Sequence, residues 1–233
     1  KHYGKDHPET GAILGSLGNA WGSLGDYEKK KDLLTRALAI YEKHYCKDHP
    51  KTGATLHNLG NAWGFLGDYE KQKDLLTQAL KIFEKHYGKE HPQIGITLTN
   101  LGSAWGSLED YEKKKDFLTR ALAIQEKHYG KDHPQTGAIL NDLGNAWGLL
   151  GDYEKQKDLL TRALEITEKH YGKDHPETGI TLTSLGIAWE FLGDYEKKID
   201  LLIRALEIYQ KHYGEVHPYT KMIKDNLNDS LGF

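Results

Sequence analysis

Leu14, Leu17, Trp21 and Leu24 follow one another at spacings of three and four, the interval that gathers side chains on one face of an α-helix. Pro8 suits the first turn of that helix, where a missing N–H is harmless. Gly25-Asp26 ends the pattern, and Asp26 can cap the helix that follows through its side-chain oxygen. Glu28 falls in the first turn, where the helix dipole favours negative charge, and Lys43 and His44 fall near the opposite end. Tyr27, Leu34, Ala37, Leu38, Tyr41 and Tyr45 form a second apolar stripe. The pattern predicts a helix–turn–helix unit. Its first helix carries Gly11, Gly15, Gly18 and Gly22, each costing about 1 kcal/mol relative to Ala. Stacking against neighbours must therefore supply the stability.

The unit recurs. His2-Tyr3-Gly4-Lys5-Asp6-His7-Pro8 begins again, with small changes, at His44, His86, His128, His170 and His212, each 42 residues on. Trp21, Trp63, Trp105, Trp147 and Trp189 keep the same period. Such self-similarity predicts a solenoid, with repeats over 8–45, 50–87, 92–129, 134–171 and 176–213. A last helix over 218–233 has Lys224 in place of a buried Leu and Asn228 in place of a Gly, and is expected to serve as a polar C-terminal cap. Gly4, Gly88, Gly130, Gly172 and Gly214 stand where the second helix stops, and a left-handed conformation is expected there. Cys46 takes that place once and is expected to be strained.

Leu14-x2-Leu17-Gly18-x2-Trp21, Gly25-Asp26-Tyr27 and Arg36-Ala37-Leu38 resemble the tetratricopeptide pattern. The 42-residue period and the Gly-Lys-Asp-His-Pro linker are similar to the longer repeat of kinesin light chains. The resemblance implies an all-α, right-handed α-solenoid. Two departures stand out. Trp21 occupies a place usually held by Tyr, and the small Ala expected early in the second helix is Lys30, Gln72, Lys114, Gln156 or Lys198.

Composition narrows the function classes. Lys+Arg total 31 against 34 Asp+Glu, a net charge of −3, which argues against a general nucleic-acid binder. No apolar run reaches the length of a membrane span. A single cysteine, Cys46, permits no internal disulfide, so a cytoplasmic setting is expected. The repeated His-x4-His pairs straddle a helix end and a linker and need not converge, so no metal site is expected. In the plainer reading, the first His bonds helix carbonyls and Asp-His-Pro shapes the start of the next helix. No Gly-x-Ser-x-Gly elbow, phosphate loop or His-Glu-x2-His occurs, and neither enzyme activity nor a cofactor is expected. Lys29-Lys30-Lys31 and Lys113-Lys114-Lys115, offset by Glu28, Asp32, Glu112 and Asp116, read as a solvated face.

Differences between repeats collect on one face of the first helices, opposite the stripe. In the resembling family this face lines a concave groove that contacts peptides. By that resemblance the groove is offered by Asn19 in the first repeat, His57, Asn58, Asn61 and Phe65 in the second, and Asn100 and Ser103 in the third. The fourth adds Asn141, Asp142, Asn145 and Leu149, and the fifth Ile187, Glu190 and Phe191. Spaced amides can pair with a peptide backbone whatever its sequence, while Phe65, Leu149, Ile187 and Phe191 would anchor apolar side chains. The face shows no Lys or Arg, and Asp142 and Glu190 tilt it toward a neutral or mildly basic segment. The expected role is a protein–protein interaction scaffold. The alternative is a sensor, regulatory or self-association arm of a larger signalling protein whose catalytic part lies upstream. In that case the uncapped N-terminal end is a route to a homo-oligomer.

Overall fold

In a computed structural model, residues 4–231 are described. His2 and positions 232–233 of the expected cap lie outside the described residues. The described residues form helices α1 (Pro8–Ser23), α2 (Tyr27–Tyr45), α3 (Pro50–Phe65), α4 (Tyr69–Tyr87), α5 (Pro92–Ser107) and α6 (Tyr111–Tyr129). They continue with α7 (Pro134–Leu149), α8 (Tyr153–Tyr171), α9 (Pro176–Phe191), α10 (Tyr195–Tyr213) and α11 (Pro218–Leu231). Two compact units divide the chain, Lys1–Ile124 and Gln125–Phe233. Within the first, α1 packs on α2, α2 on α3, α3 on α4 and α4 on α5. Within the second, α7 packs on α8, α8 on α9, α9 on α10 and α10 on α11.

Glycine sets how near the two helices of a pair can come. A Cβ added at Gly60 would lie 3.0 Å from Leu76 Cγ and 3.3 Å from the Gln72 carbonyl oxygen. Gly18 meets Leu34 and the Lys30 carbonyl in the same way. Leu34 and Leu76 are almost fully buried as a result, as are Leu160 and Leu202 in the second unit. The cost of glycine within each first helix is offset by the closeness it allows, because interiors reward dense packing. At the start of the first unit the stripe is incomplete. Leu17 is 46 % exposed, whereas its counterparts Leu59, Leu143 and Leu185 are buried. No described helix lies on that side of α1, while α2 covers α3 and α8 covers α9.

The linkers are built for helix starts. The second His of each motif is the N-cap: His7, His49, His91, His133 and His175 accept, at Nδ1, the N–H two residues on at 3.1–3.2 Å. At His86 and His170 the first His does not bond helix carbonyls as expected. His86 and His170 reach back instead to the linker carbonyls of Asp48 (2.7 Å) and Asp132 (2.6 Å). The same aspartates pair with Lys85 and Lys169 at 2.6 Å. No group of three His, Cys, Asp or Glu able to hold a metal ion occurs among the described residues.

Lysine runs of the second helices are not simply solvated. Lys29 lies 3.9 Å from the Trp21 ring centre and Lys31 lies 5.1 Å from that of Trp63 in the next repeat. Trp63 is thus flanked by Lys31 and by its own Lys71 at 4.0 Å. Each such contact contributes about 0.5–1 kcal/mol, which gives the Tyr-to-Trp departure a physical purpose.

Helix stops at Gly88, Gly130, Gly172 and Gly214 have φ of 79–92°. Where caps are defined, ψ is 162–174°. This is the extended mirror region, not the αL well that was expected. Cys46 is held at φ 83°, ψ 160°, a region essentially reserved for glycine and costing about 1–3 kcal/mol for other residues. Glu109, at φ 63° where other repeats have Gly25, Gly67, Gly151 or Gly193, bears a milder αL strain. Cys46→Gly is expected to raise stability by about 1–2 kcal/mol, and Glu109→Gly by about 1 kcal/mol or less. Urea midpoints at unchanged slope check both, and a lowered midpoint for Cys46→Gly contradicts the assignment of strain.

Candidate functional site

In the first unit, the residues that differ between repeats meet on α3 and α5. His57 was expected on the groove-lining face, but its ring is not open to solvent. Its imidazole is buried, 3.1 Å from Thr97 Oγ1 at Nδ1 and 3.2 Å from the Asn61 amide at Nε2. Asn100 also donates toward Nε2 (3.3 Å) and bonds the Asn61 carbonyl oxygen at 3.0 Å. Thr97 spends its hydroxyl proton on the Gln93 carbonyl. This network assigns the proton to Nδ1. It leaves the Asn100 carbonyl oxygen and one Asn61 N–H unclaimed. Asn61 and Asn100 therefore offer the exterior one donor and one acceptor, fewer than two free amides would.

Beside this network lies a cavity of about 310 Å³ lined by Asn61, Gly64, Phe65, Tyr69, Asn100 and Ser103, with Gln72 and Ser107 completing it. Phe65, 66 % exposed, stacks one face on Tyr27 with ring centres 4.2 Å apart and planes 5° apart. Stacking fixes the ring without covering it, which suits an apolar anchor. Asn19 and Ser103 are exposed, and Asn58 is half-buried. Ser103 donates its hydroxyl to the Thr99 carbonyl.

The second unit repeats part of this arrangement. Phe191, also exposed, stacks on Tyr153 at 4.3 Å and 3°. Leu149 and Ile187 are exposed, and Asn145 and Asp142 half-buried. Asn141 occupies the place of His57 and keeps a buried Oδ1 without a hydrogen bond. The structure thus gathers His57, Asn61, Phe65, Asn100 and Ser103 about one locus. Asn19 stands apart from that locus.

One feature of the face was not anticipated. Lys30, Gln72, Lys114 and Gln156 fold across the glycines of their own repeats. A Cβ at Gly22 would lie 2.6 Å from Lys30 Cδ, one at Gly64 2.5 Å from the Gln72 carboxamide, and one at Gly106 2.7 Å from Lys114 Cδ. In the fifth repeat Glu190 replaces the glycine and binds Lys198 Nζ at 2.6 Å. The face therefore does carry lysine, contrary to the sequence reading, and Glu190 is ion-paired with Lys198. The signal lay in residues eight apart: the sole repeat that loses its glycine gains an acid opposite a lysine.

Burial first, and then the charge of Lys30, push the His57 imidazole down to about 4 from its usual 6.5. The unfolded chain thus binds this proton at higher pH than the folded chain. Stability is complete above pH 6.5, falls as pH drops from 6.5 toward 4, and levels off below, a loss of about 3 kcal/mol. His57→Asn, which installs the residue of the fourth repeat, should flatten this acid slope by about one proton. Denaturant titrations between pH 7.5 and 4 check it, and an identical slope in both proteins contradicts the burial of a neutral ring.

No curated protein matches this sequence. Among solved structures, a Podosopora anserina protein assigned as a kinesin light chain, with nearly identical TPR-like repeats, is 24% identical. The match covers 89% of this chain and 98% of that one, at a TM-score of 0.75. BtubC (BKLC) of P. vanneervenii is 23% identical over 89% of this chain and 84% of its own, at 0.76. YrrB, a TPR protein with an unusual peptide-binding site, is 16% identical over 91% of this chain and 90% of its own, at 0.58. These likenesses show a common fold. The tetratricopeptide repeat family matches at residues 24–85, 52–127, 106–169 and 148–211. With its paired helices, glycine contacts and capped linkers, this chain belongs to the tetratricopeptide repeat family.

Proposed function

We propose that this protein is a non-enzymatic interaction scaffold that holds an extended peptide segment of a partner protein on the glycine-lined face of its first helices. The observation that carries the reading is the Phe65 locus. An exposed ring held by Tyr27 borders a cavity whose lining includes the polar side chains of Asn61, Asn100, Ser103 and Ser107. An apolar anchor beside a few fixed polar groups is how a binding site combines affinity with orientation. Leu149, Ile187 and Phe191 extend the same chemistry in the second unit. Tetratricopeptide repeats serve as protein-binding scaffolds, and YrrB carries a peptide-binding site on this fold. The neutral or mildly basic preference fits Asp142 in the second unit. It does not fit the first unit, where Lys30 and Lys114 reach the face.

Peptides selected from a diverse library should bind the native protein and lose about tenfold or more in affinity to Phe65→Ala, as an anchor residue does. The thermal midpoint should hardly change, since the ring is largely exposed. Fluorescence polarisation checks the affinity. Selected peptides that bind Phe65→Ala unchanged would place the site elsewhere.

A further inference from the structure

The linkers act as controls for one another at one place. After the first repeat, the rings of Tyr41 and Tyr45 stand with centres 5.9 Å apart, and Tyr45 stacks on His49 at 4.4 Å. Lys51, two residues after His49, lies over this pair. Its Nζ is 5.1 Å from the Tyr45 ring centre, 5.9 Å from that of Tyr41 and 3.4 Å from the Tyr45 hydroxyl. After the second repeat the same frame recurs. Phe83 and Tyr87 are 5.8 Å apart, and Tyr87 stacks on His91 at 4.7 Å. The residue two after His91 is Gln93, which carries no ammonium. A cavity of about 370 Å³ lies against these rings, lined by Phe83, Tyr87, His91, Gln93, Asn58 and the buried His57.

The chemistry of this cavity suits a cation. The face of an aromatic ring is negative and attracts an ammonium or guanidinium held above it. The Asn58 and Gln93 carboxamides line the same space, and each has an oxygen that accepts from a cation. His57, which burial keeps neutral, adds no opposing charge. Lys30 and Lys114 do oppose a cation, but they lie over Gly22 and Gly106, in the last turns of α1 and α5. The cavity lies beside Ala54, Asn58 and Gln93, in the first halves of α3 and α5. At 1.5 Å per residue the separation along the helices is roughly 10–20 Å, beyond the reach of an exposed charge at physiological salt.

We propose that this cavity binds a cationic side chain of the partner peptide, lysine or arginine, in the place that Lys51 fills internally one repeat earlier. The inference rests on the use of the inner face for peptides, and adds to the ligand a charged residue and its position. Asn58 and Phe65 lie two turns apart on one face of α3, about 10 Å along the helix. An extended peptide covers that distance in roughly three residues. The cation therefore stands roughly three residues from the apolar residue held at Phe65.

Two measurements test it. The first needs no ligand. Gln93→Lys installs the ammonium of Lys51 over Phe83 and Tyr87. It should melt about 1–3 °C above Gln93→Met, which has similar length without the charge. That gap should shrink by half or more when Tyr87→Leu is added to both. The absence of a gap, or a gap that ignores the loss of the ring, overturns the geometry.

The second selects capped octapeptides from a diverse library on the native protein and on Gln93→Lys. Native selections should carry a lysine or arginine roughly three residues from an apolar residue. Replacing that cation with norleucine should cost about fivefold in affinity on the native protein and nothing on Gln93→Lys. Tyr219 stands against Tyr209 and Tyr213 at the last linker, so a ring is the competing occupant. Peptides enriched with an aromatic residue at this position, or without the cation, overturn this proposal and leave the peptide face standing. Butylammonium that binds as tightly as the selected peptide overturns the peptide assignment and makes the cavity a site for free amines. No enriched peptide on either protein overturns the peptide face and this proposal together.

Discussion

Everything in this protein depends on how closely the two helices of a repeat approach at one glycine. At Gly18, Gly60, Gly102 and Gly144 an added Cβ would stand 2.9–3.3 Å from a leucine of the second helix and 3.3 Å from a backbone carbonyl. Backbone cannot yield as a side-chain tip can, so a larger residue would part the helices, and overpacking of this kind costs about 1–3 kcal/mol. That spacing sets the burial of Leu34, Leu76, Leu118 and Leu160. It also sets how far the first helix of a pair stands from the second, and so where the residues of the exposed face fall. A further set of glycines, one turn later, has a different task. Gly22, Gly64, Gly106 and Gly148 admit a long polar side chain over the helix. The two sets look alike in sequence, both being Gly within a helix, yet one makes the fold and the other shapes the surface.

This difference explains what was legible in the sequence. The fold was readable because its determinants are local and repeated. Pro8 and its copies start a helix, Asp26 and its copies cap one, and the leucine spacing names the buried face. Five near-identical units average away the ambiguity of each. The linker aspartates and histidines were placed correctly at helix starts. The partner of the first His was not, because His86 bonds a carbonyl 38 residues away, a contact that no local spacing encodes. The αL expectation for the linker glycines failed for a related reason. Positive φ was readable from glycine, but ψ near 160° reflects the direction in which the chain must leave for the next repeat.

The candidate site was legible in its residues but less so in their states. Phe65 and Phe191 stood out as departures from the repeat, and both are exposed and stacked. His57 stood out in the same way but points inward, because its helix face is bounded by α5 as well as by solvent. A histidine there can be buried only if both ring nitrogens are satisfied. Thr97, Asn61 and Asn100 do so, and they come from two repeats. Recognising the network from sequence would have required knowing that residues 57, 61, 97 and 100 share one locus. The second helix's contribution was missed because Lys30 was read with Lys29 and Lys31 as one charged run. The three neighbours in fact go to three places: a tryptophan of their own repeat, a glycine opposite, and a tryptophan of the next.

Near-identity among repeats gives the exceptions their meaning. A scaffold whose units were all alike would present the same chemistry at every step and select nothing. Here the core positions keep the period, and variation is admitted where a side chain can change without moving a helix. Replacing Gly148 with Glu190 one repeat on is such a change, since the lysine opposite turns a lone acid into a pair. Replacing Ser23 with Phe65 is another, since Tyr27 is already in place to hold the ring. Each substitution uses a partner that the repeat carries anyway, and so alters the surface at little cost in stability. Specificity can therefore be written onto a solenoid one residue at a time, provided the residue that the repeat places beside each site can receive the new one.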